Sequence, residues 1–255
     1  MNAREIGMTF RLSVLALLLL AAAPLAQAAG EKPSGIQAAL ADPRRPADQV
    51  AQDAARKPAE TIAFAGIKPG QQVADFLPGG GYFTRLISTV VGPSGHVTML
   101  ETTRWGADNV ASDQKVIDQG YKNVSLDTAA FGDFHLTAPV DVFWTSRNYH
   151  DLLIAKYGVV DMAAFNRHVF ASLKPGGVYI VLDHSAPDGT GAKLTDTTHR
   201  IDEALVKSQV TAAGFKFEGE SALLRNPADD RKLSVFDKKI QGRTDQFLLK
   251  FRKPG

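Results

Sequence analysis

The segment Val73-Ala74-Asp75-Phe76-Leu77-Pro78-Gly79-Gly80-Gly81-Tyr82-Phe83-Thr84 restricts the possible folds of this chain more than any other. An apolar run ends in a carboxylate, three glycines make a tight turn, and a helix pattern follows at once. A side chain in such a turn would block a ligand lying against the backbone. The helix start beyond it offers free N–H groups and a partial positive charge. From there strands and helices alternate. Strands are expected at 72–77, 96–101, 123–127, 140–145 and 178–183, and helices at 82–91, 107–119, 161–173 and 196–213. Met162, Phe165, Val169 and Leu173 fall on one helical face. Repeated βα units predict a parallel sheet covered on both sides. Residues 215–224 and 246–252 read as strands with no helix between them, which predicts an antiparallel terminal pair. The fold class is α/β: a doubly wound, Rossmann-like, mostly parallel sheet.

Residues 1–28 combine Arg4 and Arg11, an apolar run from Leu12 to Leu25, and Ala26-Gln27-Ala28. These are the parts of a cleavable export signal. As a helix the apolar run reaches about 21 Å, short of the roughly 30 Å hydrocarbon core, so a membrane anchor is not expected. Cleavage near Ala28 leaves 227 of the 255 residues, in the periplasm or secreted. The absence of Cys suits that destination. Residues 29–47, rich in Pro, Ala and charge, read as a flexible lead-in. Residues 48–255 read as one domain with a helical cap at 48–66, in which Asp48 opens one helix, to about Arg56, and Pro58 a second. The 29 basic and 27 acidic residues leave no electrostatic case for nucleic acid. The expected partner is a small molecule, with no membrane contact after signal removal; the oligomeric state stays open.

Glu101 lies 20 residues beyond Gly81, where a strand-end carboxylate can accept from a ribose diol. The third position of a dinucleotide fingerprint is Thr84 rather than glycine, which disfavours a nicotinamide cofactor. The plainer alternative is a glycine turn kept for packing.

On Asp75 through Thr84, Glu101, the Lys174–Gly177 turn and the last two strands, the sequence resembles the class I S-adenosylmethionine-dependent methyltransferases. More narrowly it is similar to exported bacterial proteins described as predicted methyltransferases. That likeness rests on Arg56-Lys57-Pro58-Ala59-Glu60-Thr61, Gly66-Ile67-Lys68-Pro69-Gly70, Asn148-Tyr149-His150-Asp151, Asp183-His184-Ser185 and His199-Arg200-Ile201-Asp202. The resemblance implies S-adenosylmethionine as cofactor. Pro78, Gly79, Gly80 and Gly81 would face its methionine portion and Asp75 its amino group, with Glu101 on the ribose and Asn148 completing the contacts. Two departures stand out. Leu77 and Pro78 occupy positions that are small in many relatives, which would crowd the turn. No acid falls where one usually meets adenine, since Asp127 is early and Asp133 late, so apolar contact is expected there.

Asn148-Tyr149-His150-Asp151 follows the strand whose end abuts the cofactor in that architecture. His150 is suited to take a proton from the methyl acceptor, oriented by Asp151, with Tyr149 on the substrate. The alternative is that Asn148 and Asp151 only cap a helix. Asp183 and His184 end the next strand, so His184 is a second acid/base candidate and Asp183 a substrate contact. His199 and Arg200 are further substrate candidates, Arg200 through a carboxylate, although a surface ion pair is the plainer reading. The spacing of His150, His184 and His199 with Asp151 and Asp183 matches no compact ligand motif, so no metal is expected. Trp105 and Trp144 read as core residues, and Arg56, Pro58 and Glu60 as a cover for the pocket. The expected activity is methyl transfer to a small acceptor; the alternative is a related fold that has lost catalysis and senses a ligand in the periplasm.

Overall fold

The computed structural model describes Met1, residues 35–105 and residues 107–255. The export-signal reading of residues 1–28 and the start of the expected lead-in lie outside the described residues. Among the described residues, four short helices precede the sheet: α1 (Gly35–Leu40), α2 (Ala47–Val50), α3 (Asp53–Arg56) and α4 (Pro58–Ala65). Within 29–47, expected to be flexible throughout, residues 35–40 instead form α1. The reason is burial: Ala39 enters the core, and the buried Arg45 guanidinium donates to both carboxylate oxygens of Asp53 at 2.6 and 2.9 Å. Pro58 occupies the first turn of α4, where its missing N–H costs nothing.

Next come β1 (Gln72–Phe76), α5 (Tyr82–Val91), β2 (His96–Thr102), α6 (Ala107–Asp118), β3 (Val124–Ala129) and β4 (Val140–Ser146). They are followed by α7 (Met162–Ser172), β5 (Leu173–His184), α8 (Thr195–Thr198), α9 (Glu203–Ala212), β6 (Lys216–Ser221) and β7 (Gln246–Arg252). Asp161 caps α7 by accepting from the N–H groups of Ala163 and Ala164. The single helix expected at 196–213 is broken. His199 has φ 54°, and the Ile201 N–H donates to the His184 carbonyl at 3.0 Å, which ties the break to the end of β5. Asp202 then caps α9.

The sheet order is β3-β2-β1-β4-β5-β7-β6. The first five strands are parallel, while β7 runs antiparallel between β5 and β6. The expected terminal pair is present, with the last strand inserted inside the sheet. Two apolar layers cover it. On one face Phe83, Leu86 and Ile87 of α5 join Val142, Trp144 and Ile180; on the other Phe165 and Val169 of α7 and Val206 of α9 join Phe143, Tyr179 and Val181. Each such side chain contributes about 1.5–3 kcal/mol on burial. Among the described residues no helix is long and apolar enough to cross a membrane. The crossovers run away from each other on either side of β1 and β4, so the carboxyl ends of those strands flank the switch point where ligands bind in open α/β sheets.

Candidate functional site

The turn after β1 is built from positive backbone angles: φ is 55° at Leu77 and 57°, 77° and 73° at Gly79, Gly80 and Gly81. A Cβ on Gly79 would meet nothing within 4 Å, so this backbone faces open space. A Cβ on Gly81 would lie 2.4 Å from Val116 Cγ2, so this glycine lets α5 approach α6 closely. The Gly80 N–H already donates to Asp113 Oδ1 at 2.8 Å. Leu77 does not crowd the turn: its side chain is buried in the apolar layer, and its N–H extends the ladder to the Leu100 carbonyl at 2.8 Å.

Two charged features flank this turn. Asp75 is buried and accepts from Thr84 Oγ1 at 2.6 Å. Burial pushes its carboxyl up to about 7. Arg56 lies 3.8 Å over the Tyr82 ring and 4.9 Å over Phe83, with its Nε buried and without a partner. Burial, and then the neighbouring Arg147, pull its guanidinium down to about 9. Neither Arg56 nor Arg147 has a carboxylate ion-pair partner among the described residues; the Arg147 guanidinium donates to Gln246 Oε1 at 3.1 Å, and its backbone N–H to the Leu182 carbonyl at 2.7 Å. Arg147 also carries a positive φ of 66° at the end of β4.

Glu101 ends β2 as expected, buried beside Asp113 of α6. Its Oε1 accepts from the Thr102 N–H at 2.6 Å, whereas Glu101 Oε2 and Asp113 Oδ2 have no donor. Burial raises both carboxyls, Glu101 to about 8, and each is a hydrogen-bonding neighbour of the other.

Beyond the turn a cavity of about 380 Å³ opens, lined by Trp105, Asn148, His150, Asp151, His184 and His199, with Arg147, Tyr157, Phe236 and Thr244 among its other walls. Five residues singled out in the sequence, Asn148, His150, Asp151, His184 and His199, are therefore brought together. Asn148 donates to the carbonyls of Leu77 at 2.7 Å and Ser146 at 2.9 Å, stapling the β1 and β4 turns together. His150 Nδ1 lies 2.8 Å from Asp183 Oδ1, and its Nε2 lies 3.4 Å from Asp151 Oδ1 and 3.3 Å from His199 Nδ1. Burial opposes protonation of His150, but Asp183 and Asp151 outweigh it and hold the imidazole above its ordinary value.

Four expectations need correction. Asp183 is not a substrate contact: it is fully buried and accepts from His150 Nδ1 and from the N–H groups of His150 and His184, so it positions His150. Tyr149 is also buried away from the cavity, its hydroxyl donating to Gln209 Oε1 and accepting from Asn166. Arg200 spends its guanidinium inside the protein, on both Asp229 oxygens at 2.9 and 3.1 Å and on the carbonyls of Ser185 and Leu233. His184 lines the cavity, but burial, reinforced by nearby cations, pulls its pKa far down, so it stays neutral and holds Thr244 Oγ1 at 2.8 Å. Its contact in the structure is the hydrogen bond to Thr244, and the depressed pKa weakens its case as a second acid/base group.

Trp144 is core as expected, 4.7 Å from Phe83 between ring centres. Trp105 is not: it is half-buried at the cavity and forms an aromatic cluster with Phe131 and Tyr157, at 5.7 and 5.8 Å. Asp113, Arg147 and Tyr157 carried no signal in the sequence, because each sits in a stretch of ordinary surface polarity.

No family model matches the sequence. The ubiquinone/menaquinone biosynthesis C-methyltransferase UbiE of Pasteurella multocida is 30% identical over 134 residues, covering 50% of this chain and 45% of that protein. UbiE of Ectopseudomonas mendocina is 26% identical over 188 residues, 69% of this chain and 68% of its own length. The match spans about half the length of most of these curated relatives. Among solved structures, a SAM-dependent methyltransferase from Aquifex aeolicus superposes with a TM-score of 0.55 at 17% identity, covering 77% of this chain and 89% of its own. The strand order, the glycine turn after β1 and the acid ending β2 agree with these likenesses: the chain has the class I S-adenosylmethionine-dependent methyltransferase fold.

Proposed function

We propose that this chain is an S-adenosylmethionine-dependent methyltransferase acting on a small acceptor held in the cavity beyond β4. The observation that carries the reading is the buried carboxyl pair Glu101/Asp113 beside the open turn at Gly79, whose Oε2 and Oδ2 have no donor besides each other. A ribose diol would bring donors to these oxygens, so Glu101 would hold the ribose. The guanidinium of Arg56, whose only side-chain acceptor among the described residues is Gln52 Oε1, would take the methionine carboxylate, with Asp75 on the amino group. Trp105, with Tyr157 beside it, offers the apolar surface for adenine.

Bound S-adenosylmethionine supplies an electrophilic methyl group on a sulfonium. The acceptor needs only to be held in line, about 3–3.5 Å away, and relieved of its proton. His150, fixed through Nδ1 by Asp183, presents Nε2 to the cavity as the proton acceptor. Asp151 and His199 line the same wall. Exchange of His150 for Gln should lower turnover about 10²–10⁴-fold and leave affinity for S-adenosylhomocysteine within about threefold. Unchanged turnover removes His150 from the chemistry.

The cofactor reading is tested by thermal unfolding of the described chain with S-adenosylhomocysteine and, separately, NAD. At 100 times its Kd a ligand stabilises by about 2.7 kcal/mol. Stabilisation by the adenosyl ligand alone supports the reading; stabilisation by neither defeats it. Glu101→Ala should weaken that binding about tenfold to a hundredfold, the worth of hydrogen bonds to a charged group. Methyl release in the presence of candidate acceptors then separates an enzyme from a ligand sensor. Residues 1–28 support action outside the cytoplasm, and N-terminal sequencing of the protein from a periplasmic extract checks that.

A further inference from the structure

We propose that His150, Asp151 and His199 form a binding site for a borderline divalent transition-metal ion, with Zn²⁺ as the probe, whose open coordination positions face the cavity. The three donor atoms are His150 Nε2, His199 Nδ1 and Asp151 Oδ1. They are separated by 3.3, 3.4 and 3.7 Å. Ligand atoms about 2.0–2.1 Å from a tetrahedral Zn²⁺ lie about 3.3–3.4 Å from one another, so two of the three edges already have that length. All three groups fall within 4.8 Å of one another and line the same 380 Å³ cavity.

A second observation points the same way. His150 Nδ1 lies 2.8 Å from Asp183 Oδ1, and Asp183 is fully buried. A metal-ligating histidine usually donates its other ring N–H to a carboxylate, which fixes the tautomer and leaves the distal lone pair free for the ion. The Asp183 contact does this for Nε2. Two imidazoles and one carboxylate are also the donor set of open zinc and non-haem iron sites, in which water or substrate fills the remaining positions. The two carboxylates Asp151 and Asp183 balance the ion's charge. His199 is held at the wall by its own geometry: its backbone has φ 54°, and its ring packs edge-on against Phe236 at 4.8 Å. His184 is not among the groups whose ligand atoms all lie within 4.8 Å of one another.

The proposal rests on the cavity geometry and not on the cofactor reading. An ion on Nε2 occupies the lone pair that otherwise accepts a proton, so metal and proton compete for His150.

The test is calorimetric titration of chelator-treated, untagged protein with ZnCl₂ in the absence of any adenosyl ligand. The expected result is one equivalent bound by the unaltered protein, with affinity lowered at least a hundredfold in His199→Gln and Asp151→Asn. Asp183→Asn should keep the stoichiometry and lose about tenfold to a hundredfold in affinity, as a supporting carboxylate does. The exposed His135 serves as control, and His135→Ala should match the unaltered protein. Zinc-edge X-ray absorption of the loaded, unaltered protein needs no variant: two imidazole nitrogens at about 2.0 Å support the site. A shell without imidazole, no binding at all, or equal affinity in His199→Gln overturns it.

Discussion

Asp75→Asn should make the ligand-free chain more stable and its adenosyl-ligand complex weaker. Asp75 is buried, and burial lifts its carboxyl from 3.8 to about 7. In the unfolded chain the group ionises near 3.8; in the folded chain it keeps its proton until pH 7. Its contribution to stability is therefore complete below pH 3.8 and is lost as pH rises through 7. About three pKa units correspond to roughly 4 kcal/mol. Asparagine keeps an acceptor for Thr84 Oγ1 and has no charge to bury. Urea unfolding at pH 8 should show the variant more stable by about 2–4 kcal/mol, with the gap closing towards pH 5. Identical midpoints at pH 8 would mean that Asp75 is not buried at that cost. The second half of the expectation rests on the proposed cofactor: a carboxylate that meets the ligand's ammonium ionises at that moment, and asparagine cannot. Affinity for S-adenosylhomocysteine should fall at least about tenfold, the worth of one charge-assisted contact.

Arg200→Met should be the most destabilising single change outside the apolar layers. The guanidinium is fully buried and bonded to Asp229, to the Ser185 carbonyl at the end of β5 and to the Leu233 carbonyl. Asp229 in turn accepts from the Asp245 N–H at 2.7 Å, so the pair holds the long connection between β6 and β7 against the sheet. Removing one partner strands a buried carboxylate, at a cost of about 3–5 kcal/mol. For a domain of this size that lowers Tm by on the order of 10 °C. Arg200→Met combined with Asp229→Leu should recover part of the loss, because no charge is then left unpaired. A double variant no better than the single one would show that the carbonyl contacts, and not the ion pair, carry the stability. Since Val235, Phe236 and Thr244 line the cavity, loosening this connection should also be felt there.

The contrast between Arg200 and Arg147 shows how far the sequence could be read. Arg147 follows β4 directly and Arg200 lies between α8 and α9, and in the sequence both read as candidate or surface arginines that only tertiary placement separates. A buried aspartate 29 residues away neutralises Arg200. Arg147 feels Asp183 only through a longer-range attraction and forms no ion pair among the described residues, so it stays available at the cavity wall. Asp183 and His184 show the same limit. The strand end was legible, but whether a residue there faces the cavity or the interior depends on what packs against it. His199 was a helix residue by pattern, and the pairing of Ile201 with β5 broke that helix and turned the imidazole towards His150.

Local chemistry was enough for the alternation of strands and helices, the glycine turn, the acid at the end of β2 and the helix-free final strand pair. Hydrophobic period, turn residues and caps act over a few residues, so a single sequence displays them. The apolar run and small-residue end of residues 1–28 are readable for the same reason. The pairing of Glu101 with Asp113, the burial of Arg56 without a carboxylate partner and the meeting of His150, Asp151 and His199 are different in kind. Each depends on elements far apart in the chain and on the loss of water around them. Burial decides which charges keep a partner and which must wait for a ligand, and burial exists only once the layers have closed.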